Sequence, residues 1–269
     1  MMRRLRSLWT RPRDLASPSS RPDGEALFAI GDIHGHSDLL APLLAEIRLQ
    51  ADRSQRTLLV PLGDYVDRGP DSRAVVDLLL ETAAHPRIEA HFLRGNHDQT
   101  LLDFLADHTV GPAWCGVGGR QTLFSYGIEP PATRKHMELW LQARDDFAAN
   151  LPGSHLEFYR SLAPSFTWRD WFFTHAGAQP GVPLEDQTEH DLMWIRHPFL
   201  KDEARFEKIV VHGHTPADQA YADHRRIGLD TGAYMTGVLT ACRFDGSGQT
   251  LIQSVKAPDG GAELRSTPF

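Results

Sequence analysis

Thiols are scarce in this chain. Its two cysteines, Cys115 and Cys242, lie far apart among 269 residues, and no Cys-x-x-Cys pair occurs. A disulfide framework and a thiolate zinc site are therefore not expected, and two free thiols suit a reducing, cytoplasmic setting. Long apolar runs are missing too: no segment approaches the roughly 20 apolar residues of a membrane span. The opening Met1-Met2-Arg3-Arg4-Leu5-Arg6 is basic, but Trp9-Thr10-Arg11-Pro12-Arg13 interrupts before an apolar core builds up. Neither a secretory signal nor stable membrane insertion is predicted. Excess positive charge is also lacking. The formal net charge is −7, which speaks against a nucleic-acid partner.

What is present is an α/β alternation. Residues 1–24, rich in Arg, Pro and Ser, read as a disordered basic arm; loose contact with an anionic membrane or partner is the sharper reading of the same residues. A folded domain is expected over 25–257. Apolar runs at 26–31, 57–62 and 88–93 read as strands. Helical patterns follow each, with Leu39, Leu40, Leu43, Leu44 and Ile47 on one face of the first. Ser37 or Asp38 is expected to cap that helix, with Pro42 in its first turn; Asp71 or Ser72 starts the second helix, and Asp98 the third. After Asp107, Gly111-Pro112 and Gly116-Val117-Gly118-Gly119 predict a loop-rich stretch. Helices are expected at about 135–149 and 155–162, the whole forming a small helical cap insertion over about 108–163. Further strands are predicted at 171–174, 208–211, 226–230, 237–244 and 250–255, with a frayed tail over 258–269.

Polar residues gather where the strands end. Gly31-Asp32-Ile33-His34-Gly35, Gly63-Asp64-Tyr65-Val66-Asp67-Arg68-Gly69 and Gly95-Asn96-His97-Asp98 each close an apolar run at equal intervals, 64 − 32 = 32 and 96 − 64 = 32. That is the length of a βαβ unit, so three parallel strands deliver Asp32, Asp64 and Asn96 to one sheet edge. His175-Ala176-Gly177 and His212-Gly213-His214-Thr215 end two later strands. Carboxylate, amide and imidazole donors without sulfur suit manganese, iron or zinc. More donors are present than one ion needs, and Asp64 is placed to bridge two. Singly, a strand-end Asp is a turn or cap residue, and a lone His a core or surface one; together these residues point to a metal centre.

In this order and spacing, GDIHG, GDYVDRG, GNHD, HAG and HGHT resemble the calcineurin-like metallophosphoesterases and, more narrowly, the phosphoprotein phosphatase family. The likeness runs from about Leu27 to about Phe244. The GDYVDRG form points to the bacterial and phage serine/threonine protein phosphatases and the symmetrical diadenosine tetraphosphatases. Gly118 to Gly127 resembles a segment of the former. Asp98 stands where eukaryotic members have Glu.

The resemblance implies a four-layer αββα sandwich with two divalent metal ions, manganese foremost. Asp32 and His34 would hold the first, Asp64 would bridge, and Asn96, His175 and His214 would hold the second, with His212 as the alternative to His214. It further implies His97 as general acid paired with Asp67, and Arg68 and Arg196 as phosphate clamps. Arg196 alone reads equally well as a surface residue. Asp230 and Tyr234 read either as the substrate mouth or as a plain strand end and Gly turn. The implied reaction is phosphate monoester hydrolysis by in-line attack of a metal-bridging hydroxide, on phosphoserine or phosphothreonine in proteins. Symmetrical cleavage of a bis(5'-nucleosyl)-tetraphosphate is the alternative, and an inactive phosphatase-fold binding protein the third reading. The other histidines, and the tryptophans, read as surface, core or cap-packing residues.

Overall fold

A computed structural model describes residues 24–246 and 248–269; the basic arm expected over residues 1–24 lies, but for Gly24, outside them. The strands are β1 (Glu25–Ile30), β2 (Arg56–Pro61), β3 (Ile88–Ala90), β4 (Ser165–Trp168), β5 (Trp171–Thr174), β6 (Ile209–His212), β7 (Tyr221–Ala222), β8 (Arg226–Gly228), β9 (Val238–Asp245), β10 (Gly248–Lys256) and β11 (Ala262–Pro268). They form two sheets, ordered β11-β10-β9-β1-β2-β3 and β4-β5-β6-β8-β7. β1, β2 and β3 run parallel, as do β5, β6 and β8. Both parallel sets therefore send their C-terminal ends to a common edge.

The helices follow as α1 (Ser37–Ala51), α2 (Ser72–Ala83), α3 (Asn96–Ala106), α4 (Gly111–Trp114), α5 (Arg120–Ser125), α6 (Met137–Asn150), α7 (Gly153–Ser161), α8 (Glu189–Trp194), α9 (His197–Lys201) and α10 (Ala233–Thr236). Strand alternation sorts the core into layers. Leu27 and Ala29 of β1 face Phe173 and Val211 of the second sheet, forming the inter-sheet core. Phe28 and Ile30, one residue out of phase, pack with Leu39, Leu43, Val75 and Leu79 of the outer helices. Phe172 and Val210 turn the other way, onto Leu192 and Phe199 of α8 and α9. The result is the expected αββα sandwich. Both faces of β1 and β2 are buried, which is why they read as unbroken apolar runs.

Several local expectations are corrected. The third strand is shorter than 88–93; past Ala90 its pairing with β2 thins to His91 N to Leu59 O and Leu93 N to Pro61 O, and an isolated bridge joins Leu93 to Ala163. Ser37 and Asp38 do not cap α1, whose N-cap is His36, and Pro42 sits beyond the first turn, inside the helix. The stretch expected to be loop-rich is helical almost throughout, from His108 to Ser125, with one break at Gly118 (φ 131°). The tail expected to fray forms β11, paired antiparallel with β10 from Thr250↔Pro268 to Lys256↔Ala262. Among the described residues, no helix is long and apolar enough to cross a membrane.

Candidate metal centre

Close loop approach assembles the site. His34 N donates to Asp64 O at 2.8 Å and Gly69 N to His34 O at 2.9 Å, so the loops after β1 and β2 are sewn together. The third motif begins a helix earlier than expected: α3 starts at Asn96, not Asp98. Asp98, on the third residue of α3, accepts from the backbone N–H groups of Gly95, Asp64 and Tyr65 at 2.9, 2.8 and 3.0 Å. It thus serves the helix start, as in half of a capping box, and also ties the second loop to the third. The first-turn position puts Asn96 and His97 at the positive end of α3. Gly95 and Gly213 are required by proximity. A Cβ on either would lie 2.1 Å from a carboxylate oxygen, Asp64 Oδ1 or Asp32 Oδ1.

The backbone is held in an unfavourable conformation here. The non-glycine residues with positive φ among those described are His34, Asp64, Asp67, Arg68, His214 and, outside the site, Arg169. A non-glycine left-handed residue costs on the order of 1–3 kcal/mol and persists only where surrounding contacts enforce it. Five such residues converge on one cluster.

Asp64 is the centre of that cluster. Its Oδ2 lies 3.4 Å from His34 Nε2 and its Oδ1 3.5 Å from His175 Nε2. Asn96 Oδ1 lies 3.0 Å from the same His175 nitrogen. His34 and His175 each turn Nδ1 to a backbone carbonyl, Val66 O at 2.8 Å and Leu62 O at 3.0 Å. That bond fixes the tautomer, so each Nε2 presents a lone pair. Lone pairs on His175, Asn96 and Asp64 therefore face one another, an arrangement a cation relieves. Donor atoms of His34, Asp64 and His97 lie mutually within 4.8 Å, as do those of Asp64, His175 and His214.

Protonation states fit the same picture. Burial drives the His34 pKa down to about 3 and that of His214 to about 2, and it lowers that of His175, so all three rings are neutral at pH 7. Burial opposes charge on Asp64, but His175, His97, His34 and His214 outweigh it and hold the carboxyl well below its ordinary range. Asp32 is pushed up by burial and by the Asp230 and Asp64 carboxylates. Asp230, buried beside it, rises to about 6, chiefly through burial. Neutral imidazoles, an amide and crowded carboxylates make a donor set suited to divalent cations.

The structure brings together every residue of the predicted set. Asp32, His34, Asp64, Asn96, His175 and His214 are all buried. Asp32 also accepts from His214 N at 3.1 Å. His212 points elsewhere. It lies among Phe199 and Tyr221, with Nε2 2.9 Å from the Tyr221 hydroxyl. His97 places Nδ1 2.6 Å from Asp67 Oδ2, and its backbone N–H donates to Asp64 Oδ1 at 2.9 Å. Burial works against the charged ring, but the Asp64 and Asp67 carboxylates together hold the His97 pKa above the ordinary imidazole value. Arg68 donates Nη1 to His34 Nε2 at 2.8 Å and Nη2 to His97 Nε2 at 3.0 Å, and its guanidinium lies 4.3 Å from the Tyr234 ring centroid. Arg196 donates Nε to His214 Nε2 at 3.0 Å.

Asp64, Asn96, His97 and His214 line a cavity of about 440 Å³ with both arginines in its wall and the exposed Val117 and Trp194 beside them. A larger cavity of about 610 Å³, beside β4, contains none of them. Asp230, read from sequence as either substrate mouth or plain strand end, reaches Asp32 across the sandwich from just past β8. Two features escaped the sequence reading. Trp194 is 43% exposed, contrary to the expectation that the tryptophans pack inside. The Asp67 carboxylate accepts from Trp114 Nε1 and Thr122 Oγ1. The local Gly118–Gly127 motif was the one available signal for the last.

Fold and site together define a metal-dependent phosphoester hydrolase. The family model described as calcineurin-like phosphoesterase matches residues 27–239, and the chain belongs to that family. It is similar to a serine/threonine-protein phosphatase 1 of Salmonella typhimurium, 25% identical and covering 87% of this chain and 99% of that one. An asymmetrical bis(5'-nucleosyl)-tetraphosphatase of Halalkalibacterium halodurans is 27% identical over 80% of this chain and 88% of its own. A symmetrical bis(5'-nucleosyl)-tetraphosphatase of Vibrio parahaemolyticus is 26% identical, over 82% and 96% respectively.

Proposed function

We propose that this phosphoesterase is a cytoplasmic phosphatase that hydrolyses phosphoserine and phosphothreonine monoesters in proteins. The observation that carries the chemistry is the His97–Asp67 pair beside Asp64, with two guanidiniums lining the same cavity. The protein substrate is supported by the Gly118–Gly127 segment and by the near full-length likeness to a protein phosphatase. Asp32, His34 and Asp64 would hold one divalent ion, and Asp64, Asn96, His175 and His214 a second, manganese being the first choice. When bound, the ions supply Lewis-acid activation of the attacking water and of the phosphoryl group.

The chain's own residues supply the rest. Arg68 and Arg196 bind the phosphoryl oxygens in two-pronged hydrogen bonds and neutralise charge that builds on them. In the resting site His97 Nε2 accepts from Arg68; once Arg68 turns to the phosphate, that nitrogen takes up a proton and gives it to the departing ester oxygen as the P–O bond breaks. Asp67 holds the ring by Nδ1, fixing orientation and favouring the charged form. Asp98 keeps the loops bearing Asp64 and Asn96 at their separation.

The relatives named as tetraphosphatases, and the exposed indole of Trp194, support a second reading, cleavage of a bis(5'-nucleosyl)-tetraphosphate with a base stacked on that ring. A panel of phosphopeptides and dinucleoside tetraphosphates under manganese separates the two. The first reading expects a higher kcat/KM on phosphoserine or phosphothreonine peptides. A much higher value on the dinucleotide, lost in Trp194→Ala, selects the second, with the products showing where the chain of phosphates is cut. No turnover of either substrate or of p-nitrophenyl phosphate would return the inactive binding scaffold.

A further inference from the structure

Asp67 is held by more than His97. Its Oδ2 accepts from the Trp114 indole N–H at 2.8 Å as well as from His97 Nδ1, and its Oδ1 accepts from the Thr122 hydroxyl at 2.6 Å. The Thr122 oxygen in turn accepts the Asp67 backbone N–H at 2.9 Å and lies 3.1 Å from Ser72 Oγ. Asp67, Trp114, Thr122 and Ser72 are all fully buried. The carboxylate therefore has no rotational freedom, and one of its oxygens is fixed toward the imidazole.

Both donors come from the helical stretch between β3 and β4, not from the sandwich. Trp114 ends α4 and Thr122 lies in α5, eight positions on. On an unbroken helix they would lie about 12 Å apart along the axis, at 1.5 Å per residue. The break at Gly118 brings both onto one carboxylate. Gly118 O accepts from Arg68 N at 3.2 Å, and a Cβ on Gly118 would lie 2.8 Å from the Arg68 backbone. Gly119 packs flat against the indole; its Cβ would lie 2.4 Å from the Trp114 ring. The Gly-Gly pair is thus what lets this segment close over the Asp67-Arg68 turn.

We infer that Trp114 and Thr122 are positioning residues for proton donation, acting through Asp67 on His97. The inference rests on reading His97 as the general acid. A clamped carboxylate fixes the ring so that Nε2 is aimed at the leaving oxygen. Without the clamp Asp67 can rotate, and the ring with it. The defect then falls on esters whose leaving oxygen most needs a proton.

The manganese-loaded enzyme can be tested with aryl phosphates graded from p-nitrophenyl to unsubstituted phenyl. Thr122→Val and Trp114→Phe should lower kcat on phenyl phosphate about tenfold, a part of a general acid's usual contribution, and on p-nitrophenyl phosphate less than about threefold. Thr122→Ser, which keeps the hydroxyl, should restore kcat to within about twofold, and thermal melting shows which variants are folded. Thr122→Val removes no ring, so it answers the question even if Trp114→Phe fails to fold. Equal loss on both esters, or no loss, in folded Thr122→Val overturns the inference. His97→Asn serves as the reference. If it too shows no dependence on the leaving group, the acid role of His97 fails and the clamp's function falls with it; if only His97→Asn shows the dependence, the clamp alone is wrong.

Discussion

At the scale of single residues, chemistry follows from what each side chain is denied. His34 and His175 spend Nδ1 on backbone carbonyls and have Nε2 left for a cation. His97 spends Nδ1 on a carboxylate instead, which favours its charged form. In the proposed mechanism adjacent positions take separate jobs, Asn96 as donor to a metal and His97 as acid. His97→Asn should keep metal content and lower kcat by about two to four orders of magnitude, as judged by elemental analysis alongside steady-state kinetics. An unchanged kcat would remove His97 from the reaction. The motif residues were legible because spacing alone carries strand ends to a common edge. The choice of His214 over His212 came from the family resemblance and not from spacing, since it depends on the turn at Gly213, which sends His214 into positive φ (65°) beside Asp32. For Asp230, named as a possible mouth residue, the pairing with Asp32 was not legible, because that neighbour lies 198 positions away (230 − 32) on the other sheet.

At the scale of elements, the parallel strands and their helices were readable from periodicity. The segment from His108 to Ser125 was not. Its glycines suggested loops, yet they serve close approach of a helix to the Asp67-Arg68 turn. Tertiary contact overrode local propensity there. The tail was misjudged for a related reason: Gly260-Gly261 makes the turn into β11, which pairs along its length with β10. Gly118 gives this scale its prediction. With φ at 131° and no room beside Arg68, Gly118→Ala should cost about 1–3 kcal/mol of strain. That corresponds to about 2–4 °C of Tm per kcal/mol for a chain of this size, measured by scanning calorimetry. An unaltered Tm would show that the segment can close without that geometry.

At the scale of the whole molecule, the sandwich concentrates carboxylates that its fold alone does not neutralise. Asp32, Asp64 and Asp230 are buried together, and Asp230 is raised from its ordinary value to about 6. A carboxyl raised on folding stabilises fully below its unfolded pKa and loses that contribution as pH rises through the folded one. For Asp230 the loss runs from about pH 4 to just above pH 6. The depressed His34, His175 and His214 act the other way, their contribution being lost as pH falls below about 6.5, and three such rings outweigh one carboxyl, so chelated protein should melt at a lower temperature at about pH 5 than at pH 7.5. Added manganese should raise Tm more at pH 7.5 than at pH 5, because bound cations offset the same repulsion. Equal manganese stabilisation at both pH values would separate the carboxylate cluster from metal binding.

The central claim is that Asp64 bridges two divalent ions, and anomalous diffraction from manganese-loaded crystals tests it most directly. Two peaks are predicted, about 3.5–4 Å apart, one against Asp32 and His34, the other against Asn96, His175 and His214, with the Asp64 carboxylate between them. A single peak, or peaks away from Asp64, would contradict it.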